Sequence, residues 1–318
     1  MLTIDAQSAL GFLTSQTAHI EAQVYEIQYP DIQYPNLIPI DTSAYEWAPT
    51  VEFYSMDKAG QANWFDHQAK DVPLATSDRT RFVEPIYMAA IGYRYTLEEL
   101  GQAMMVPGLN LTVDRASAAR RAYEEFVDRI ALVGSAAKNW DGLINNDLIT
   151  PTTAAPTGTG GNTSWSFKTG DQIMTDINDA LTGVYVDSLT VEMADTILLP
   201  VQEVARLSST RLGDTNMTIM QFLETANVYT QQTGQRLTIR AVRGLEDAGA
   251  GDTGRMVAYR RDPNVVKMHL PMPHRFLPVW QTGPMVFDVP GIFRLGRLDI
   301  RRPGAFRYID GIIDDSET

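Results

Sequence analysis

A pair of strand-like stretches separated by a long polar segment constrains the fold of this chain more than any other feature. Apolar and polar residues alternate within residues 50–56 and 81–95, which is the period of two that a β-strand requires. The 24 residues between them, 57–80, are largely polar, so the pattern predicts a long β-hairpin with an extended loop. An isolated hairpin is only marginally stable in water. We therefore expect a partner surface to hold it.

Residues 1–50 are predicted to form an extended arm rather than part of a core. The tetrapeptide Ile-Gln-Tyr-Pro occurs at 27–30 and again at 32–35, and Pro39 follows. Three prolines fix the backbone and remove hydrogen-bond donors, and residues that precede proline are driven towards extended geometry. The arm carries aromatic side chains that are costly to expose to water, so we expect it to lie on this subunit or on a neighbour. These are Tyr25, Tyr29, Tyr34, Tyr45 and Trp47.

The strongest helical pattern covers residues 113–133. Apolar residues recur there at spacings of three and four and form one seam, and Gly134 supplies a C-terminal stop. At 1.5 Å per residue such a helix is about 30 Å long. A capping box of Thr96 and Glu99 predicts a shorter helix that ends near residue 107. The seam residues are Ala116, Ala119, Tyr123, Phe126, Ile130 and Val133.

A low-complexity stretch, residues 150–164, divides the chain. It is rich in threonine, glycine and proline, and it is predicted to be an exposed bridge between two units. Two capping boxes follow, Thr169 with Gln172 and Thr218 with Gln221, and each predicts the start of a helix.

Strand patterns dominate the end of the chain. The apolar residues 196–199 predict a buried strand, and Pro200 is expected to begin a short helix. The fold class is therefore α+β, with helices in the middle and antiparallel strands in the last quarter. The predicted strands are 237–242, 255–259, 265–270, 285–289 and 291–300.

Composition and charge restrict the functions that are available. Hydrophobic residues make up 44% and charged residues 20% of the chain, as in folded globular proteins. The net charge of −13 argues against a dominant nucleic-acid-binding face. Residues 1–60 hold eight acids and one base, whereas 255–307 hold ten bases and three acids. This asymmetry would let copies of the chain attract one another, although an ordinary uneven surface explains it equally well.

Other classes are excluded by what the sequence lacks. There is no cysteine, so disulfides, thiolate metal sites and cysteine nucleophiles are excluded. No apolar run approaches the roughly 20 residues that span a bilayer, and no secretion signal begins the sequence. We therefore expect no membrane association.

No motif points to catalysis. Phosphate loops, dinucleotide-binding glycine motifs and nucleophile elbows are absent from the sequence. His269 and His274 lie close together, but prolines between them break the spacing that would direct both rings at one metal. The adjacent acids Glu98/Glu99 and Glu124/Glu125 diverge around a helix rather than converge. We therefore predict no enzyme activity and no catalytic, cofactor-binding or metal residues.

The order of these elements resembles a known family, the Hong Kong 97-like major capsid proteins of tailed bacteriophages, whose fold is shared with encapsulins. Several short stretches are similar to one phage branch, among them Gln-Tyr-Pro in the arm and Gly-Tyr-Arg-Tyr-Thr-Leu-Glu-Glu-Leu-Gly after the hairpin. The resemblance covers nearly the whole chain. The similar stretches are 27–39, 54–58, 92–101, 120–129, 142–146 and 301–311.

The resemblance implies a domain organisation. Residues 1–50 would be the N-terminal arm, and 51–95 the extended loop that overlaps a neighbouring subunit. Residues 96–169 and 262–300 would form the peripheral domain, with the helix at 113–133 as its spine. Residues 170–261 and 301–318 would form the axial domain.

The resemblance also implies a function and partners. The chain would be a structural protein that assembles with itself, through hexamers and pentamers, into an icosahedral shell enclosing phage double-stranded DNA. It would contact that DNA only non-specifically. Further partners would be a portal and separate scaffolding or decoration proteins. The location would be the virion, after assembly in the host cytoplasm. Because the hairpin begins near Val51, we expect no cleaved scaffolding domain ahead of the arm.

Some relatives crosslink their subunits through a loop lysine and a peripheral asparagine, with the help of a glutamate. Lys58 and Lys70 lie in the matching loop and Asn264 in the matching stretch. No glutamate occurs between Glu246 and Glu317, however, so the crosslink is not expected here.

Two alternatives remain open on the sequence. An encapsulin-type compartment shell would share the fold, although the Gln-Tyr-Pro arm favours a phage protein. An undetected hydrolase or binding protein is the other, because catalytic groups that meet only in space leave no sequence motif.

Overall fold

The computed structural model describes residues 31–59, 75–99, 111–213 and 215–314. Helices and strands are mixed along the chain, which confirms the α+β class. The helices are α1 (Tyr34–Leu37), α2 (Leu111–Leu132), α3 (Gly170–Asp187), α4 (Val201–Ser209), α5 (Ile219–Thr225) and α6 (Val228–Thr233). Short 3-10 turns cover Ala136–Lys138, Thr159–Gly161, Trp165–Phe167 and Pro303–Ala305.

The strands form several small sheets rather than one large one. In chain order they are β1 (Ile40–Asp41), β2 (Thr50–Ala59), β3 (Thr76–Ala90), β4 (Tyr93–Thr96), β5 (Gly134–Ser135), β6 (Trp140–Asp141), β7 (Thr152–Thr153), β8 (Thr196–Leu199), β9 (Thr238–Ala241), β10 (Arg255–Tyr259), β11 (Val266–His269), β12 (Met272–Phe276), β13 (Trp280–Gly283), β14 (Val286–Val289), β15 (Gly291–Gly296), β16 (Leu298–Ile300) and β17 (Phe306–Asp310). The orders are β7-β17-β10-β8-β9, β12-β15-β3-β2, β1-β11-β16, β13-β14-β4 and β5-β6.

The five-stranded sheet organises the second half of the chain. β10 lies antiparallel to both β17 and β8, while β9 joins β8 in parallel. A parallel neighbour needs a long crossover, and helices α4 to α6 supply it between β8 and β9. All four residues of β8 are buried, as predicted, and Pro200 precedes α4 at its N-cap. Helix α3 packs on this sheet and begins with the predicted Thr169–Gln172 capping box.

Helix α2 follows its prediction closely, because its pattern is local and its ends are marked. Gly134 follows it with φ +83°, and the Arg121–Glu125 pair lies on its polar side at 2.9 Å. The predicted seam is partly wrong. Ala119, Tyr123 and Ile130 are buried, but Val133 is 49% exposed. Two residues outside the predicted seam, Val127 and Ala131, are fully buried instead.

The arm is a correction to the sequence prediction over residues 34–41. Tyr34, Leu37 and Ile38 are buried in the core that α2 covers, and Tyr34–Leu37 is helical rather than extended. Pro35 lies in the first turn of this helix, where its missing N–H costs nothing because that donor would have no partner within the helix. Strand β1 then pairs in parallel with β11. Residues 1–30, which include Tyr25 and Tyr29, lie outside the described residues.

The stretch at 150–164 is also more than an exposed bridge. Thr152 and Thr153 pair with the end of β17, and Ala154 is buried in the same core as α3. The division into peripheral and axial domains remains a prediction.

The predicted strand at 291–300 is divided in two. β15 pairs with β3 and β12, whereas β16 pairs with β11 in another sheet, so the strand changes partners at Arg297. Strand β12 was not predicted, because Pro271 and Pro273 mask its period of two.

Among the residues that the structure describes, no helix has the length and apolar character needed to cross a bilayer.

Candidate assembly surface

The predicted hairpin is present and is longer than its pattern indicated. β2 and β3 pair in antiparallel register from Thr50 opposite Pro85 to Ala59 opposite Thr76. The strand predicted at 81–95 ends at Ala90, and β4 then pairs with β14 in another sheet. The break lies at Gly92, where a Cβ atom would come within 2.3 Å of the Val289 carbonyl oxygen. Only glycine allows that approach of the two backbones.

The outer part of the hairpin exposes large apolar side chains. Tyr54 is 64% exposed, and Met56 and Val83 are each 46% exposed. Apolar side chains on this part of the hairpin cost free energy in water unless another surface covers them. The hairpin therefore has the properties of a docking element rather than of a core element.

The root of the hairpin is fixed by a buried ion pair. Glu84 is 4% exposed, and its Oε1 accepts a hydrogen bond of 2.6 Å from Arg297 Nη2. Hydrogen bonding to Glu84 in turn raises the pKa of Arg297, so this guanidinium keeps its charge. The Ile86 N–H donates to the Pro49 carbonyl oxygen at 2.9 Å. These contacts set the direction in which the hairpin leaves the sheet.

An aromatic pair stiffens the next register positions. Phe53 and Phe82 lie directly opposite each other, and their rings stack with centroids 5.1 Å apart. The Arg301 guanidinium lies over Phe53 at 4.3 Å. This cation–π contact connects the hairpin to the segment that follows β16.

A row of charged groups links the arm to the segment that follows β16. His269 is buried between two carboxylates, with Nδ1 3.6 Å from Asp41 and Nε2 3.4 Å from Asp299. Asp41 also accepts from Lys267, and Asp299 from Arg301 at 2.9 Å.

These carboxylates remain ionised although they are partly or largely buried. Burial acts to raise the pKa of both, but hydrogen bonds from Lys267 and Ser43 hold the pKa of Asp41 well below its usual range. Hydrogen bonds from His269 and Arg301 likewise lower the pKa of Asp299. The cluster therefore fixes β1 against β11 and β16 by charge as well as by backbone pairing.

The charge asymmetry of the sequence is largely neutralised within one chain. Two acids of the arm pair with bases of the C-terminal region: Asp41 with Lys267, and Glu46 with Arg275 at 3.0 Å. The suggestion that the acidic arm meets basic surface on a neighbour therefore does not hold for these two residues. Further pairs that use C-terminal bases are Arg255–Asp310, Arg260–Glu192, Arg297–Glu84, Arg301–Asp299, Arg302–Glu192 and Arg307–Asp187.

Apolar side chains are also exposed elsewhere on the subunit, for example at β13 and after α3. Val279, Trp280 and Met285 lie 54–68% exposed at and beside β13, the edge strand of its sheet. Leu189 is 84% exposed at the loop after α3. A monomer rarely exposes several such patches, so these add to the hairpin as surfaces that a neighbour could cover.

The two described histidines, His269 and His274, and the acid Glu99 make structural contacts within the subunit. His274 stacks on Tyr123 at 5.2 Å and contacts the Ile91 carbonyl oxygen, on the opposite side of Pro271 and Pro273 from His269. Glu99 caps the helix that begins at Leu97 and pairs with Arg115 at 2.9 Å. Across the described ranges, no three His, Asp or Glu side chains are arranged so that they could hold a metal ion.

The crosslinking residues are only partly described. Lys58 lies exposed on β2 and Asn264 is exposed in the turn before β11, whereas Lys70 lies outside the described residues. Asp262 Oδ1 accepts the Asn264 N–H at 2.8 Å, so this aspartate bonds local backbone, as predicted.

A polar cavity on the subunit lacks a catalytic arrangement. It has a volume of about 380 Å³ and is lined by Met193, Asp195, Tyr229, Thr233, Gln235, Arg260 and Asp262. Its charged groups already have structural partners. Asp195 accepts from the Arg261 N–H at 2.8 Å, and Arg260 pairs with Glu192. The cavity contains no nucleophile activated by a base.

Sequence reasoning missed the Glu84–Arg297 pair and the charge row around His269. Both join residues far apart in the sequence, and neither has a local pattern. The only available signal was a charged residue inside each predicted strand, at Glu84 and Arg297.

Comparisons with known proteins agree with this geometry. The family model described as major capsid protein matches residues 60–312. The solved capsid of Myoviridae phage XM1 is 17% identical with a TM-score of 0.77, covering 93% of this chain and 97% of that chain.

Two further solved structures are similar. A chain of Microbacterium phage Oxtober96 is 13% identical with a TM-score of 0.64, covering 98% of this chain and 100% of that one. The capsid of a native GTA particle is 10% identical with a TM-score of 0.62, covering 98% and 99%. No curated protein sequence matches this chain.

Proposed function

Because the chain belongs to the major capsid protein family, we propose that its β2–β3 hairpin is the element by which each subunit overlaps the next in the shell. The family builds icosahedral capsids, so this is a structural shell protein of the virion that assembles with itself, and not an enzyme. The observation that carries the proposal is a hairpin of ten register pairs whose outer part exposes apolar side chains. Among the described residues, its contacts with the rest of its own chain lie at its root.

The finer assembly scheme belongs to the same proposal. The subunits form hexamers and pentamers, with residues 170–261 and 301–318 as the axial domain at their centres. Residues 96–169 and 262–300 form the peripheral domain. The closed shell encloses phage double-stranded DNA, which it contacts non-specifically, since the chain carries a net charge of −13.

Other partners follow from the same scheme. A portal occupies one vertex, and separate scaffolding or decoration proteins act during or after assembly. Assembly takes place in the host cytoplasm.

Shortening the hairpin tests this role. Met56 lies opposite Arg79, so replacing residues 57–78 by Asn-Gly joins the strands through a two-residue turn that suits a hairpin. The root contacts of Glu84, Phe53 and Ile86 are retained. We expect a folded, soluble subunit that forms no closed shells in negative-stain micrographs.

Gly160→Ala serves as the control, because a Cβ atom at that position meets nothing within 4 Å. This variant should form shells of normal diameter. Normal shells from the shortened hairpin would remove it from the assembly role.

A further inference from the structure

The β2–β3 hairpin has two chemically different faces. Because side chains alternate along a strand and opposite residues share a face, the register assigns each residue to one face. One face, here called the basic face, carries Tyr54, Met56, Lys58, Arg79, Arg81 and Val83, together with Glu52. The other, here called the root face, carries Phe53, Asp57, Asp78, Phe82 and Glu84.

The root face is directed towards the body of its own subunit. The Arg301 guanidinium covers Phe53 at 4.3 Å, and Arg297 pairs with the buried Glu84. On the basic face, Tyr54, Met56 and Val83 remain 46–64% exposed. Beyond its root the other face is open as well, since Phe82 is 43% exposed, but that face carries the opposed carboxylates of Asp57 and Asp78. Charge, rather than exposure, therefore distinguishes the two faces.

The charge on the basic face is unbalanced. Its only carboxylate, Glu52, is paired with Arg81. Within the described ranges, Lys58 and Arg79 form no ion pair. Among the described residues, the face thus presents two cations without an ion partner beside three apolar side chains, on a chain whose net charge is −13.

From this complementarity we infer that the basic face docks on a second copy of this chain, on a surface that is apolar and carries carboxylates. The inference rests on the proposed overlap of subunits and adds which face of the hairpin makes it and by what chemistry. Copies with a net charge of −13 repel one another. A cationic face on the overlapping element turns that repulsion into local attraction and fixes the orientation of the neighbour.

The test compares neutral substitutions at neighbouring positions on opposite faces. Lys58→Gln/Arg79→Gln removes the two unpaired cations of the basic face. Asp57→Asn/Asp78→Asn removes two charges from the root face, where the two aspartates lie directly opposite each other. The critical concentration for shell formation is measured by light scattering at low and high salt. Circular dichroism of the unassembled subunits checks that each variant is folded.

We expect the basic-face variant to raise the critical concentration by roughly tenfold at low salt and to lose most of its dependence on salt. The root-face variant should assemble at or below the wild-type concentration, because it lowers the general repulsion. Wild-type behaviour of the basic-face variant would overturn the inference, as would loss of assembly in the root-face variant alone. Failure of the wild-type protein to form shells would instead overturn the proposed function.

Discussion

Glu84 lies buried at the root of the β2–β3 hairpin and pairs with Arg297, the residue at which the chain passes from β15 to β16. This ion pair thus connects the hairpin to the point where the chain leaves one sheet and enters another. The Glu84 side chain is 5% exposed and that of Arg297 is 43% exposed. The carboxylate therefore depends on its cation, whereas the guanidinium keeps contact with water.

Replacing Arg297 by methionine should loosen the hairpin at its root. The substitution keeps the aliphatic bulk but leaves a buried carboxylate without its cation, at a cost of about 3 kcal/mol in the free energy of unfolding. Urea unfolding of the unassembled subunit measures this loss, and amide exchange should become faster in β2 and β3. Arg275→Met is the control, since Arg275 and Glu46 are both more than 40% exposed, and it should cost less than about 1 kcal/mol. Equal losses would contradict a special role for Glu84.

Elements with a local signature could be predicted from the sequence. Helix α2 has a seam and a glycine stop, α3 and α5 have capping boxes, and β8 is an uninterrupted apolar run. The hairpin was predictable because its two strands alternate with the same period. Each of these signals depends on residues within a few positions of one another.

Features that depend on distant contacts were not predictable. Tyr34–Leu37 becomes helical and buried because a core formed by α2 and the sheets is available to it. The change of partner at Arg297 depends on Glu84, more than two hundred residues away. The faces of the hairpin follow from alternation, but which face is held against the subunit at the root depends on Arg297 and Arg301, and only the fold places them there.

Replacing Gly134 by alanine should destabilise the fold far more than the same substitution at Gly160, a glycine of similar backbone geometry. Gly134 has φ +83°, and a Cβ atom there would come within 2.1 Å of the Trp140 carbonyl oxygen. Gly160 has φ +76° with nothing within 4 Å of its Cβ position. We expect Gly160→Ala to cost about 1 kcal/mol from backbone strain alone and Gly134→Ala at least about 3 kcal/mol. Thermal unfolding of both variants measures the difference, and similar values would show that the backbone at Gly134 relaxes freely.

The charge row around His269 should make stability depend on acid pH. The folded-state pKa of Asp41 is lowered, so its contribution to stability is present above the unfolded pKa of about 3.9 and is lost as the pH falls from that value towards the folded-state pKa. The stability difference between the wild-type protein and Asp41→Asn should therefore be largest near pH 7 and decrease towards pH 3. Lys267→Met should remove the same pH-dependent component. A difference that stays constant over this range would contradict the ion pair.

Lys168 and Asp176 form a buried ion pair. Removing the lysine should make the protein less stable as the pH rises, which is opposite in sign to the effect expected at Asp41. Lys168 Nζ lies 2.5 Å from Asp176 Oδ2, and the two side chains are 0% and 2% exposed. Burial raises the pKa of Asp176 even beside the lysine, so Lys168→Met should raise it further. A raised folded-state pKa means that stability is lost as the pH rises above the unfolded value.

We therefore expect Lys168→Met to cost about 3–5 kcal/mol at pH 7 and clearly less at pH 5, as measured by urea unfolding. Adding Asp176→Asn should recover much of the loss, because the amide needs no cation and still accepts from Trp165 Nε1, which lies 2.9 Å from Oδ2. Equal losses at both pH values, with no recovery in the double variant, would show that packing rather than charge sets the cost.

Assembled particles should contain no covalent bond between subunits. Attack of a lysine amine on an asparagine amide requires a group that takes up the proton within hydrogen-bond reach. No glutamate lies between residues 247 and 316, and Asp262, the aspartate nearest Asn264 in the sequence, accepts the Asn264 N–H at 2.8 Å. Particles boiled in detergent should therefore run as a single band near the subunit mass of 35.3 kDa. A ladder of dimers, pentamers and hexamers would reveal a crosslink, and Lys58, Lys70 and Asn264 would be the first residues to substitute.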